Sequence, residues 1–215
     1  MSRPRSPRRD ALVANAMKLF WKRGYSATSM EDLVRATKVN RGGIYSDFGG
    51  KRELFCACME LYQDEVVTPA FARVEALGAD LDAVESFFEH HISRIAASGR
   101  ASPGCLVANT MTEIGPRDPK IRSLVKAHND RIEKGFLHAL RNETLGRGEP
   151  DDAELRRLAA FMLVSAHGLF SYSRSTNDTT ALRAHAQTII ALVRSACNPA
   201  GRHAIAECSA GRRLS

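Results

Sequence analysis

Apolar residues in this chain recur every three or four positions, and beyond residue 69 no stretch alternates as a strand would, so the period commits the backbone to helices. Ala11 to Arg23 sets Leu12, Ala16, Leu19 and Phe20 on one face, and Gly24 stands where a helix terminus calls for left-handed backbone. The same spacing predicts helices over 80–98, 105–114, 119–143, 151–173 and 179–197, separated by SGRASPG at 98–104, GPRDP at 115–119, GRGEP at 146–150 and STND at 175–178. With 215 residues and 44% hydrophobic content, the chain can bury one small module of about 50 residues and one larger core. The expected fold is all-α, an N-terminal three-helix domain followed by a larger helical bundle.

Three short segments near the N-terminus carry the functional reading. Thr28 followed by Glu31 has capping-box spacing and opens a helix that buries Met30, Leu33 and Val34. After a turn of about four residues, Asn40 can cap a second short helix running through Arg41, Gly42, Gly43, Ile44, Tyr45 and Ser46. A further helix starts at Gly50 or Lys51 and runs toward Pro69, where a kink or break is expected. Two short helices joined by a tight turn form a helix-turn-helix, whose second helix enters the major groove of DNA. Gly42 and Gly43 would each weaken an ordinary helix by about 1 kcal/mol relative to Ala, and close approach of backbone to DNA is a reason to keep them.

Charge agrees with that reading. Residues 1–52 hold twelve of the 31 basic residues against four of the 24 acidic ones, which leaves 19 against 20 for the rest of the chain. All of the excess positive charge lies in the first quarter of the sequence, as a polyanion partner requires. Arg41 can pair bidentately with guanine O6 and N7, discriminating by about 1 to 3 kcal/mol, while Tyr45, Thr28 and Lys51 can hold phosphates on either side. Arg3, Arg5, Arg8 and Arg9 form a basic arm over 1–9 that either enters a minor groove or stays solvated.

The segment AMKLFWKRGYSATSMEDLVRATKVNRGGIYSDFGGKRELF resembles the DNA-binding domain of TetR-family transcriptional regulators. The resemblance rests on Leu19-Phe20 before Gly24-Tyr25, then Thr28, Val39 leading to Gly42, Ile44-Tyr45, Phe48, Lys51 and Leu54. It implies a DNA-binding domain over 10–56 and an effector-binding and dimerisation domain over 57–197; residues 198–215 lack a sustained apolar face and are expected to be a loose tail. It also implies recognition contacts at Asn40, Arg41, Gly43 and Tyr45, to which close backbone approach adds Gly42, with backbone contacts at Thr28 and Lys51 and a homodimer on a palindromic operator. Asp47 stands where many members carry a residue that is not acidic, and it is left out of the contacts.

In the larger domain the resemblance is at the level of the fold. Small residues crowd 151–173 and 179–197, which suits helices that pair across a two-fold axis. For the effector, one reading is a small hydrophobic or aromatic compound bound among Phe87, Phe88, His91, Met111, Met162, His167, Phe170 and Tyr172. A second makes Cys105 a sensor thiol, activated by a helix N-terminus that lowers its pKa; the plain alternative is a buried small hydrophobe. The protein is thus expected to be a repressor released by a small molecule or electrophile, or else a ligand-independent regulator or activator.

Other classes find little in the sequence. There is no His-Glu-x-x-His, no phosphate-binding Gly loop and no Gly-x-Ser-x-Gly elbow, so an enzyme is not expected and neither a cofactor nor a metal is called for. Cys56 and Cys58 lack a second ligand pair nearby, and the five scattered cysteines suit a reducing compartment. No apolar run is long enough for a membrane span and no signal-like core follows the N-terminus, so a cytoplasmic location is expected.

Overall fold

In a computed structural model, which describes residues 7–145 and 151–198, every regular element is helical. Among the described residues the α-helices run in the order α1 (Pro7–Arg23), α2 (Met30–Thr37), α3 (Arg41–Phe48), α4 (Lys51–Tyr62), α5 (Thr68–Phe71), α6 (Leu81–Ser98), α7 (Leu106–Glu113), α8 (Pro119–Glu143), α9 (Asp152–Tyr172) and α10 (Thr179–Cys197). None of these is long and apolar enough to cross a membrane. Arg3, Arg5, the GRGEP connection at 146–150 and the tail from 199 onward, with Cys208, lie outside the described residues.

Local chemistry explains most helix ends, and in three places corrects the reading above. The basic arm is shorter than expected, because Pro7 opens α1 with its φ already helical and draws Arg8 and Arg9 into the first turn. The cap of α2 is Ser29 rather than Thr28: the Ser29 hydroxyl accepts from the Asp32 N–H at 3.0 Å and Asp32 accepts from the Ser29 N–H at 3.1 Å. Pro69 does not end the helix that begins at Lys51. Lacking an N–H and crowding the carbonyl four residues back, it is accommodated by a π-helical turn over Gln63–Val67, closed by the Thr68 N–H on the Gln63 carbonyl. The helical path continues to Phe71.

The chain forms two compact units. The first takes the described residues up to Pro69 together with Pro103–His128, so α7 and the start of α8 pack with the N-terminal helices. Its core is built from Leu12, Ala16 and Phe20 of α1, Leu33 of α2, Ile44 of α3, and Leu54 and Phe55 of α4. Phe20 meets Phe55 edge to face at 4.9 Å, and Tyr25 meets Phe55 at 5.0 Å. The second unit takes Ala70–Ser102 and the described residues from Asn129. There Phe71, Phe87, Phe136 and Phe170 form one aromatic cluster, with Phe87 5.1 Å from Phe71 and 5.8 Å from Phe170. Helix α6 packs along α10.

Candidate nucleic-acid interface

Helix α3 exists because its ends are chemically fixed. Asn40 caps it, its side-chain oxygen accepting from the Gly43 N–H at 2.8 Å, and Gly49 closes it in the left-handed conformation. Ile44 and Phe48 are buried and anchor one face. The opposite face presents Asn40, Arg41, Gly42, Tyr45 and Ser46 to solvent. The Arg41 guanidinium lies over the Tyr45 ring at 5.7 Å and pairs with the Glu31 carboxylate at 3.9 Å, with both side chains mostly exposed. Such a pair is weakly held, and Arg41 is available to a stronger acceptor. The Asn40 oxygen is turned to the cap, and its NH2 group keeps two donors for an outside acceptor.

The two glycines of α3 differ. A β-carbon at Gly42 would meet nothing closer than 3.6 Å, which leaves that exposed position open for backbone approach. One at Gly43 would lie 2.8 Å from Val39 Cγ1, so packing inside the protein already demands glycine there. Thr28 is fully buried, and its hydroxyl donates to the Gly24 carbonyl at 2.7 Å; it cannot meet a phosphate, and the helix-opening position belongs to Ser29. Lys51 opens α4, which has no side-chain cap, and its ammonium sits 4.3 Å over the Tyr25 ring. Burial pulls the Lys51 pKa below its ordinary value, against the upward pull of Glu113. Arg9 lies 4.5 Å over the Phe48 ring and braces the start of α1 against α3.

Sequence reading missed the contacts that bind 103–128 to this module. The Trp21 indole N–H donates to the Gly104 carbonyl at 2.9 Å. The Glu113 carboxylate accepts from the Tyr25 N–H at 3.0 Å and the Ser26 N–H at 2.7 Å. Arg52 holds Asp118 with two bonds, of 2.5 and 2.9 Å, and this arginine depresses the Asp118 pKa to about 2.

The residues read as effector-binding fall in both units. Cys105 and Met111 belong to the first; Phe87, Phe88, His91, Met162, His167, Phe170 and Tyr172 belong to the second. Phe87, Phe88, Met162 and Phe170 are buried, whereas Tyr172 is 58% exposed and lines no interior. The described cysteines Cys56, Cys58, Cys105 and Cys197 are free thiols, all buried. Burial raises the Cys105 pKa, and the amides of Ala108 and Val107 at the start of α7 pull it down without prevailing. The expected activation by a helix N-terminus is therefore outweighed. Among the described residues no three His, Cys, Asp or Glu side chains gather as metal ligands would.

His91 supplies a pH signature. Its ring packs 4.6 Å from Phe170, and its Nε2 lies 3.0 Å from the Ser173 hydroxyl, which itself donates to the Phe170 carbonyl at 2.8 Å. The hydroxyl is thus an acceptor toward His91, and Nε2 carries the proton. Burial above all, then the neighbouring Arg94 and His90, lowers the imidazole pKa from 6.5 to about 4. Between those values the unfolded chain takes up a proton that the folded chain refuses. This contribution is therefore complete above pH 6.5 and is lost as the pH falls toward 4, by up to about 3 kcal/mol. His91→Gln should flatten the slope of stability against pH in that window, measured by urea unfolding; His167, also depressed by burial, leaves a smaller slope of the same sign.

Comparison with known proteins bears on the whole chain. Residues 12–58 match the family of bacterial regulatory proteins described as the tetR family, and residues 81–189 match the tetracyclin repressor-like C-terminal domain. The chain is 32% identical over 171 residues to the HTH-type transcriptional repressor ComR of Escherichia coli, covering 78% of this chain and 80% of that one. It is 26% identical over 185 residues to the HTH-type transcriptional regulator YezE of Bacillus subtilis, covering 85% and 95%. Its fold is similar, with a TM-score of 0.74 at 22% identity, to a cysteine mutant of the TetR-family regulator CifR solved with 26-base-pair operator DNA, over 87% of this chain and 98% of that one.

Proposed function

Because this chain belongs to the TetR family, and so is a DNA-binding transcriptional regulator and not an enzyme, we propose that it acts in the cytoplasm as a homodimeric repressor that leaves a palindromic operator when a small molecule binds. The observation that carries the DNA half is the outward face of α3, where Arg41, Gly42 and Tyr45 are exposed beside the uncapped start of α4. A helix N-terminus with Lys51 at its mouth favours a phosphate, and Arg41 beside it reads a base edge. Thr28, being buried, is not among the contacts; Asn40, Gly43 and Lys51 remain in the set with Ser29 added.

Helices α9 and α10 supply the dimer. Phe161, Val164, Gly168 and Tyr172 recur at three- and four-residue spacing along one side of α9, and the three side chains are 43%, 69% and 58% exposed in the single chain. A β-carbon at Gly168 would meet nothing within 4 Å. An apolar stripe with a glycine in its middle suits close packing on a second copy. Paired readers must then meet successive major grooves about 34 Å apart.

For the effector we favour an apolar or aromatic compound bound reversibly among the aromatic residues of the second unit over an electrophile at Cys105, since that thiol is buried and its pKa is raised. Near-complete release needs the ligand to prefer the off-DNA form about 10,000-fold. The π-helical turn and Pro69, at the end of the first unit's N-terminal stretch, offer the chain a place to bend.

Selection of duplexes from a random-sequence pool by the purified full-length protein tests this reading. The expected product is an inverted repeat, and complexes on it should dissociate with some member of a library of small apolar compounds. Failure to enrich any sequence overturns the operator reading, and an enriched operator that no compound releases turns the reading to a ligand-independent regulator or activator.

A further inference from the structure

We propose that Glu113, outside the helix-turn-helix itself, is a positioning residue for DNA recognition: its carboxylate hooks the turn between α1 and α2 and so fixes the angle at which the reader meets DNA. The inference rests on the operator-binding reading above.

The turn begins at Gly24, whose φ of +88° is left-handed, and it exposes two successive backbone N–H groups, of Tyr25 and Ser26. Each is taken by its own Glu113 oxygen, Oε2 from Tyr25 and Oε1 from Ser26, across 88 and 87 residues of sequence. The approach is so close that a β-carbon at Gly24 would lie 2.9 Å from Oε2, which gives glycine a second reason to stand there. Three residues after Ser26 comes Ser29, the cap of α2, and α2 leads through Lys38 and Val39 to α3. Fixing residues 25 and 26 therefore fixes where the helix-turn-helix starts.

The hook is itself held. At one end of α7 the Gly104 carbonyl takes the Trp21 indole N–H; beyond its other end Asp118 is gripped by Arg52 and also caps α8 through the Lys120 and Ile121 N–H groups, at 2.9 and 3.1 Å. Anchors on both sides of Glu113 leave its side chain little choice of place. Lys51, the proposed phosphate contact, feels the same carboxylate, and its ammonium covers the ring of Tyr25, whose N–H the hook holds.

Two roles predict opposite results. An acid that merely lies near a DNA-binding face repels phosphate, so Glu113→Gln should then tighten binding to every duplex. A hook behaves otherwise: glutamine offers one oxygen and one N–H2 where two N–H groups need acceptors, so one bond is lost. Glu113→Asp keeps the charge but shortens the reach by one methylene.

Binding of the full-length protein to the duplex selected by the wild type, and to a scrambled duplex, is measured for wild type, Glu113→Gln and Glu113→Asp, with amide exchange at Tyr25 and Ser26. Both variants should bind the selected duplex about tenfold more weakly, with scrambled-duplex binding held or slightly tightened and the two amides exchanging faster. Unchanged preference in both variants, or a gain for all DNA in Glu113→Gln with none lost in Glu113→Asp, overturns the proposal. If Glu113→Gln does not fold, Glu113→Asp decides alone. A wild type that selects no duplex defeats the operator reading, and this inference with it.

Discussion

Phe161→Asp should leave the proposed homodimer monomeric and weaken operator binding by about a hundredfold or more, since a bivalent ligand loses that much when its halves act separately. The charge is placed on the apolar stripe of α9, which belongs to the second unit, whereas the reader belongs to the first. Helix content should be preserved, because Phe161 is already 43% exposed and its loss opens no cavity in the chain's own core. Leu77→Asp is the control: Leu77 is 99% exposed and lies off that stripe, so mass and affinity should both stay at wild-type values. Light scattering and a gel-shift titration give the two readouts. A Phe161→Asp protein that remains dimeric would place the interface elsewhere.

Gly135→Val should cost the second unit about 3 kcal/mol, although valine is the better helix former of the two. Gly135 is buried on α8, where a β-carbon would lie 2.5 Å from Phe71 Cε1 and 2.7 Å from Cζ. The ring cannot retreat, because Phe71 is fully buried and braced by Phe87 at 5.1 Å and Phe136 at 5.6 Å. A smaller partner should restore room, so Phe71→Leu combined with Gly135→Val should be more stable than the sum of the two single changes allows. Urea unfolding of the four proteins completes the cycle. Strict additivity would mean that the ring does not set the limit at position 135.

Helix positions were legible where short-range chemistry decides them. The ends of α6 to α10 lie within one or two residues of those expected, because Gly99, Pro119, Asp151 and Asp178 act through their own backbone or nearest amides. Asn40 was legible for the same reason. The cap of α2 was misread by one residue because Thr28–Glu31 and Ser29–Asp32 are overlapping patterns of one kind. Burial decides between them, since the Thr28 hydroxyl is turned inward to the Gly24 carbonyl. What local spacing could not give is the partner of each helix. Trp21 with Gly104, Tyr25 with Glu113 and Arg52 with Asp118 are 83, 88 and 66 residues apart, and no period in the sequence encodes them. The reader was legible as a short helix capped by Asn40 and headed by Arg41; Glu113 was not. For the effector residues, chemistry by type named aromatic and sulfur side chains without telling those of one unit from those of the other, or an outward Tyr172 from an inward Phe170.

The most direct test of α3 as the DNA reader is the affinity of wild type and Arg41→Ala for the selected duplex and for a scrambled one, each at two salt concentrations. Wild type should prefer the selected duplex and lose affinity steeply with salt, while Arg41→Ala should lose about ten- to a hundredfold on the selected duplex and much less on the scrambled one. An Arg41→Ala protein that keeps the full preference would contradict the account, because an exposed guanidinium at the head of α3 would then carry no sequence information.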